Sequence, residues 1–283
     1  MPYQIARFGW LPDPPDHRDY RADAKVVVRA VAQMAAKAET ISAEPPSSLP
    51  AAVDLRGNDP RIEDQETLGS CTAQAVVGLA EHLQKALYGR YTDASRLFLY
   101  KVTRSLLGWT GDTGAFVRST IKAMRIFGTC PEDYWLYDVG RFDDEPSPFC
   151  YAFALSYRAL TYYRMDGLED LKASLAQSQP FAFGFSVYES IWRPEVEETG
   201  EIPLPGPTDR QIGGHAVVAV GYDDSQGALL IRNSWGTGWG VEGYGWLPYE
   251  YVEWGLARDF WALAEMDYVD LEDALRTASF GAD

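Results

Sequence analysis

A thiol that attacks a carbonyl needs a base to share its proton, a group that fixes the orientation of that base, and donors for the charge that develops on the carbonyl oxygen. The chain offers candidates for each. Cys71 stands in GSCTAQAVVGLAEHLQKAL, where Cys71, Ala75, Leu79, Leu83 and Leu87 fall along one helical stripe behind Gly69-Ser70 as a cap. A thiol at that point meets the positive end of the helix dipole, which favours the thiolate. His215 opens a β-like run in GGHAVVAVGY, and Asn233 closes another in LLIRNSWGTGWG. Together they form a nucleophile, a proton partner and an amide able to fix the imidazole tautomer. Taken singly, each has a plainer role, since an isolated cysteine most often serves as a small buried hydrophobe.

These residues need two kinds of structure to bring them together. Before residue 180 the readings are helical, over the Cys71 run, Ser95–Leu107, Gly114–Phe127 and Leu168–Ala176. After Pro180 they are short β runs, Phe181–Val187, His215–Tyr222, Ala228–Asn233 and Gly243–Leu247, broken by glycines and by the loop PEVEETGEIPLPGPTD. The fold class is therefore α+β, a helical lobe followed by an antiparallel β lobe with a cleft between them. Cys71 falls on one wall, and His215 with Asn233 on the other.

Composition narrows the partners. With 283 residues, 46% hydrophobic and 23% charged, the chain can bury a substantial core. A net charge of −16 argues against nucleic acid and anionic membrane as partners. Cys71, Cys130 and Cys150 are an odd number without a C-x-x-C pair, which argues against a disulfide framework and a four-ligand zinc site; a Cys130–Cys150 pair stays open. His17 and His82 lack neighbouring ligands and read as a loop residue and a helix-surface residue. The amino end has no apolar signal core, and no run approaches the ~18 apolar residues of a membrane span. A cytoplasmic location is the default expectation, with export lacking such a signal left open.

At these motifs the chain resembles the papain-like cysteine peptidases, the family of papain and the cathepsins, from about Leu49 to Asp267. LPAAVDLR is similar to the start of a mature domain in that family. In IEDQETLGSCTAQA, Gln65 stands six residues before Cys71, the family spacing for an oxyanion-binding glutamine. Cys71 lies 144 residues before His215 and 162 before Asn233, and RNSWGTGWGVEGYGWLP resembles the family's asparagine block over its length. The resemblance implies a two-lobe fold with a barrel-like β lobe and a cysteine endopeptidase that acts on peptides or proteins without a cofactor. It assigns Cys71, His215, Asn233 and Gln65 to catalysis and Trp235 to shielding the His–Asn bond. It also places Gly111, Asp112, Thr113 and Gly114 where a glycine-containing strand pairs with substrate, although Asp112 and Thr113 serve equally as a helix cap before Ala115. Three positions depart from the family pattern. Leu68 stands where a half-cystine is usual, Thr72 replaces an aromatic, and Gly214, which the resemblance also places among the substrate-binding residues, precedes the histidine where Asn or Asp is common.

The first 48 residues differ in character, with an aromatic and proline-rich opening and an alanine-rich stretch in which Val27, Ala30, Val31, Met34 and Ala38 recur at helical spacing. Residues 1–48 read as a short, atypical pro-segment, an intramolecular inhibitor whose FGWLPDPPDHRDY runs through or beside the cleft; an integral extension that never leaves is the alternative. Residues 49–267 form the peptidase domain, and 268–283 an acidic helix and tail. Two other functions use the same residues: acyl transfer to an amine, and a non-catalytic scaffold that binds a partner protein.

Overall fold

The computed structural model describes residues 8–268 apart from 39 and 45. Helix α1 (Lys25–Ala35) comes first, then α2 (Cys71–Tyr88), α3 (Arg96–Leu107), α4 (Val117–Phe127) and α5 (Pro148–Ala154). Every residue of α2 from Cys71 to Gln84 is buried, so this helix is the axis of its lobe rather than a half-wet surface helix. Gly89 in the left-handed conformation ends it. The Ser95 hydroxyl accepts from the Phe98 N–H and caps α3. Helix α4 starts at Val117, three residues later than the sequence reading, because the backbone at Ala115 is used in pairing with the amino-terminal segment.

The second half is one antiparallel sheet of β1 (Ala52–Asp54), β2 (Ala159–Met165), β3 (Phe181–Tyr188), β4 (Gln211–Asp223), β5 (Ala228–Arg232), β6 (Tyr244–Pro248) and β7 (Ala257–Met266), in the order β2-β7-β3-β4-β5-β6 with β1 added to β4. The sheet is not closed into a barrel, which corrects that part of the expectation. Its edges are met by other segments instead, through bridges from Arg21 to Arg164 on β2 and from Glu201 to Trp246 on β6, so closure is not required to protect them.

Period-two alternation sorts the core. Ala182, Val218, Val220, Leu230, Trp261 and Leu263 join the helical lobe. Phe181, Phe183, Val217, Ala219 and Ile231 join the opposite face, which α1 and α6 (Leu168–Ala176) cover. In α1 the expected face, Val27, Ala30, Val31 and Met34, is buried against that sheet. The loop expected at 194–209 opens with a short helix, α7 (Pro194–Thr199), and α8 (Glu250–Glu253) precedes β7.

Three further expectations meet the structure here. His82 is not on the surface: it is buried, with Nδ1 2.6 Å from Asp59 Oδ1, and Tyr244 donates to the other oxygen of that carboxylate. The cause is that α2 has no wet side at that level. Cys130 and Cys150 are buried free thiols. The acidic helix and tail expected over 268–283 lie, Tyr268 excepted, outside the described residues. Among the described residues no helix is long and apolar enough to cross a membrane.

Candidate active site

The neighbouring strands β4 and β5 fix one wall of the site. Val218 pairs with Arg232, which brings His215 on β4 close to Asn233 just beyond β5. His215 Nε2 lies 2.8 Å from Asn233 Oδ1. The same oxygen accepts from the Ser234 backbone N–H at 2.8 Å, so it is the acceptor side of the amide and His215 carries its proton on Nε2. The Trp235 ring lies over the imidazole, centroids 4.5 Å apart and 28° between planes, and Phe185 meets it edge-on at 5.8 Å. The bond is thereby shut away from water, which strengthens it.

Cys71 opens α2 on the facing wall. Ser70 holds the cap position but does not cap with its side chain; its hydroxyl is 2.7 Å from the Tyr137 hydroxyl. Gln65 is buried two turns of chain earlier. Its Oε1 accepts from Ser234 Oγ at 2.6 Å, and its Nε2 donates to the Leu68 carbonyl at 2.8 Å. Ser234 thus ties the glutamine to the strand that carries Asn233, a role invisible in the sequence because the partners lie 169 residues apart.

The GDTG stretch splits into distinct tasks. Asp112 accepts from the Gly69 N–H at 3.0 Å and from the Tyr100 hydroxyl at 2.6 Å, so it braces the turn before Cys71. Gly111 is held outside by Arg104 and Asp143, and the Thr113 hydroxyl donates to the Gly114 carbonyl. Neither Asp112 nor Thr113 caps α4. Gly114 meets the amino-terminal segment at Gly9, and Thr113 shares a recess with Leu11 and Trp109.

What fills that cleft is the chain itself. Gly9 crosses between Gly69 and Gly114 so closely that a Cβ on Gly9 would overlap the Gly69 backbone, and one on Gly114 would overlap Gly9. Ala115 N–H donates to the Gly9 carbonyl at 2.8 Å, Leu11 N–H to the Ala115 carbonyl at 3.0 Å, and Trp10 N–H to the Gly214 carbonyl at 3.0 Å. The two walls are therefore bridged by main-chain bonds to one strand-like segment. The Trp10 indole lies against Gly184 and Gly214, where any side chain would collide with it. Phe8 rests between Trp192, Trp235 and His215, with centroids 5.6, 6.2 and 6.4 Å away.

Under this cover Cys71 is fully buried. Burial pushes its thiol up to about 11, against the pull of the backbone N–H groups of Ala216, Gly9 and Thr72. Burial thus works against the thiolate expected from the helix position while the segment is docked.

The family model that describes papain family cysteine proteases matches residues 49–260. The uncharacterized peptidase C1-like protein L477 of Acanthamoeba polyphaga mimivirus is 37% identical over 215 residues, which are 72% of this chain and 69% of that protein. Cathepsin K of Gallus gallus is 30% identical over 205 residues, 70% of this chain and 58% of its own length. Among solved structures, xylellain, a cysteine protease from Xylella fastidiosa, has a TM-score of 0.77 at 35% identity, with 94% of this chain and 97% of xylellain covered.

Proposed function

Because this chain belongs to the papain family of cysteine proteases, we propose that it hydrolyses peptide bonds with Cys71 as nucleophile and is held inactive by its own amino-terminal segment. In this reading, once the segment leaves, the Cys71 thiol gives its proton to His215 Nδ1 and the Sγ attacks the peptide carbonyl carbon. The resulting oxyanion takes hydrogen bonds from the Gln65 side-chain amide and the Cys71 backbone N–H. His215 gives its Nδ1 proton to the leaving nitrogen as the C–N bond breaks, which leaves a thioester on Cys71. Water, deprotonated by the same nitrogen, then attacks the thioester and releases the acid. Asn233 keeps the Nε2–H engaged throughout, so Nδ1 is the nitrogen that moves protons.

The observation that carries this reading is the His215–Asn233 bond of 2.8 Å under the Trp235 ring. A scaffold that merely binds a partner has no use for a fixed, shielded imidazole tautomer. The inhibitory part rests on Gly9 between Gly69 and Gly114, which leaves no space for a substrate backbone.

The test is intact-mass measurement after treatment with a thiol-directed epoxide, alongside peptide turnover, on the full chain, on Gly9→Val and on Cys71→Ala. A single label and turnover that are weak in the full chain, strong in Gly9→Val and absent in Cys71→Ala support both parts. A folded Gly9→Val chain whose residues 8–21 are open to an added protease and that neither labels nor cleaves any peptide overturns the peptidase reading. A full chain already as active as Gly9→Val overturns the inhibition.

A further inference from the structure

Two of the three thiols take no part in the peptidase reading, yet they lie against each other. Cys130 and Cys150 are free, buried in one apolar cluster of the helical lobe, and their side chains share a hydrogen bond. They are held very differently. Cys130 is fixed to the start of α3, where Ser95 N–H donates to its carbonyl at 2.8 Å and the adjacent Pro131 bridges to Ala94. Cys150 lies on α5, seven residues long, with Phe149 and the following Leu155 exposed. That helix reaches the body chiefly through Tyr151, edge-on to Phe98 at 5.1 Å and to Phe127 at 6.2 Å, and through Cys150 itself, 3.5 Å from the Tyr134 carbonyl. A helix this short and this exposed opens locally far more readily than the chain unfolds.

The loop between the two thiols supports the active site at two points. The Tyr137 hydroxyl donates to the Gln65 carbonyl at 3.0 Å and stands 2.7 Å from the Ser70 hydroxyl, under the turn that leads to Cys71. Further along, Asp143 accepts from Arg104 at 2.6 Å and from the Gly111 N–H at 2.9 Å. A bond across the ends of residues 130–150 would restrict both supports at once, because it removes conformations from the loop that carries them. Burial first and the neighbouring Cys150 second push the Cys130 thiol well above its ordinary range, so the pair is inert while α5 is seated.

We propose that Cys130 and Cys150 are a modification site, an oxidisable pair at which a peroxide closes a disulfide and so stiffens the loop beneath the Gln65–Ser70 turn. When α5 lifts, the Cys150 thiolate attacks one peroxide oxygen. The O–O bond breaks, hydroxide leaves and takes up the thiol proton as water, and Cys150 becomes a sulfenic acid. The Cys130 thiolate then attacks that sulfur and expels the second oxygen, which leaves as water with the second thiol proton. Two thiols lose two electrons and two protons, and one peroxide becomes two waters. The meaning of the stiffened turn for catalysis rests on the peptidase reading; the oxidation does not.

The test uses the full-length Cys71→Ala chain, in which these two are the only thiols, so nothing is read from turnover. The chain is treated with hydrogen peroxide under conditions that fully oxidise glutathione, then alkylated after denaturation, weighed intact and mapped by peptides. The expected product has lost two hydrogens, takes no alkyl label and yields one peptide pair linked through Cys130 and Cys150, all reversed by dithiothreitol. Its Tm should lie higher by about 5 °C or more, with hydrogen exchange slowed over residues 65–70 and 130–150. Cys150→Ser in the same background should show none of these changes. Two thiols still open to alkylation, sulfinic acids in place of a disulfide, or links between separate chains overturn the proposal. A disulfide that leaves Tm and exchange unchanged, or lowers Tm, overturns the stiffening. A wild type that neither labels nor cleaves would sink the peptidase reading and leave this result as it stands.

Discussion

The strap of residues 8–21 and the helix α1 that follows it belong to one amino-terminal segment, yet they are held by different forces. The strap is held by main-chain bonds to Ala115 and Gly214, by two aromatic plugs, and by polar contacts such as Asp13 N–H to Asp259 at 2.7 Å and Arg118 to Asp19 at 2.9 Å. Each of these groups has an alternative partner in water or in a peptide substrate. Helix α1 packs on β2 and β7 and is held by Val27, Ala30, Val31 and Met34, buried in one apolar cluster with Tyr163, Met165, Phe260 and Ala262. Those side chains have no alternative except exposure. The comparison predicts a part that can leave and return and a part that completes the core, so residues 1–48 are not expected to come away as one piece.

The largest effect should come from α1. Val27 is 1% exposed, and a carboxylate placed there would be buried without a partner. Val27→Asp is expected to lower stability by about 3 kcal/mol or more, read as a shift of the urea midpoint. Removal of residues 1–48 should give aggregated protein for the same reason, whereas removal of residues 1–20 should leave a cooperative unfolding transition. A Val27→Asp chain as stable as the wild type would erase the distinction between strap and helix.

How much of this was legible in the sequence follows the same divide between local pattern and distant contact. The blocks around Cys71, His215 and Asn233 were readable because helix and strand periodicity, together with local motifs, place each on a predictable element. The apolar stripe of α1 was readable for that reason too. Strand β7 was missed because ARDFWALAEM is buried on both faces and so has no alternation, and β2 because ALTYYRM alternates in burial but not in residue type. His82 was misplaced because a helix buried on all sides carries no surface signal. The brace from Asp112 to Gly69 spans 43 residues, and no periodicity records such a contact. The strap's route was expected only as through or beside the cleft; the convergence of Gly9, Gly69 and Gly114 that decides between those two appears only in three dimensions.

The crossing of those three glycines gives the next effect. A side chain at residue 9 meets the Gly69 backbone, which cannot yield without disturbing the turn before Cys71. A clash of this kind costs about 1–3 kcal/mol, enough to raise the open fraction about fivefold or more. Gly9→Val should therefore raise peptide turnover by at least that factor and expose residues 8–21 to an added protease. Its urea midpoint should move far less than that of Val27→Asp. A strap that stays protected in Gly9→Val, with turnover unchanged, would show that it is as firmly built in as the helix.

The smallest effect sharpens the comparison through pH. Asp13 is 8% exposed, and its carboxyl is raised to about 7, by burial first and by the charge of Asp259 second. The Trp261 indole N–H, 2.8 Å from Oδ2, and Arg118 on α4 pull it back. Asp259 is raised as well, chiefly by burial, although Arg164 on β2 pairs with it at 3.1 Å. Asp16 and Asp19 on the strap face Arg118 and leave less of its charge for Asp13. A carboxyl with a raised value in the docked state keeps a proton that the free strap gives up. This contribution to docking is fully present below the ordinary carboxyl value near 4, declines above it, and is lost as the pH passes 7. Turnover of the wild type relative to Asp13→Asn should accordingly climb between pH 5 and pH 7, the ratio cancelling the titration of Cys71 and His215 that both chains share. Helix α1 brings no titratable group to its buried face, so its hydrogen-exchange protection should stay flat over the same interval. Parallel activity profiles for the wild type and Asp13→Asn would mean that the strap is held by its aromatic plugs and main-chain bonds alone.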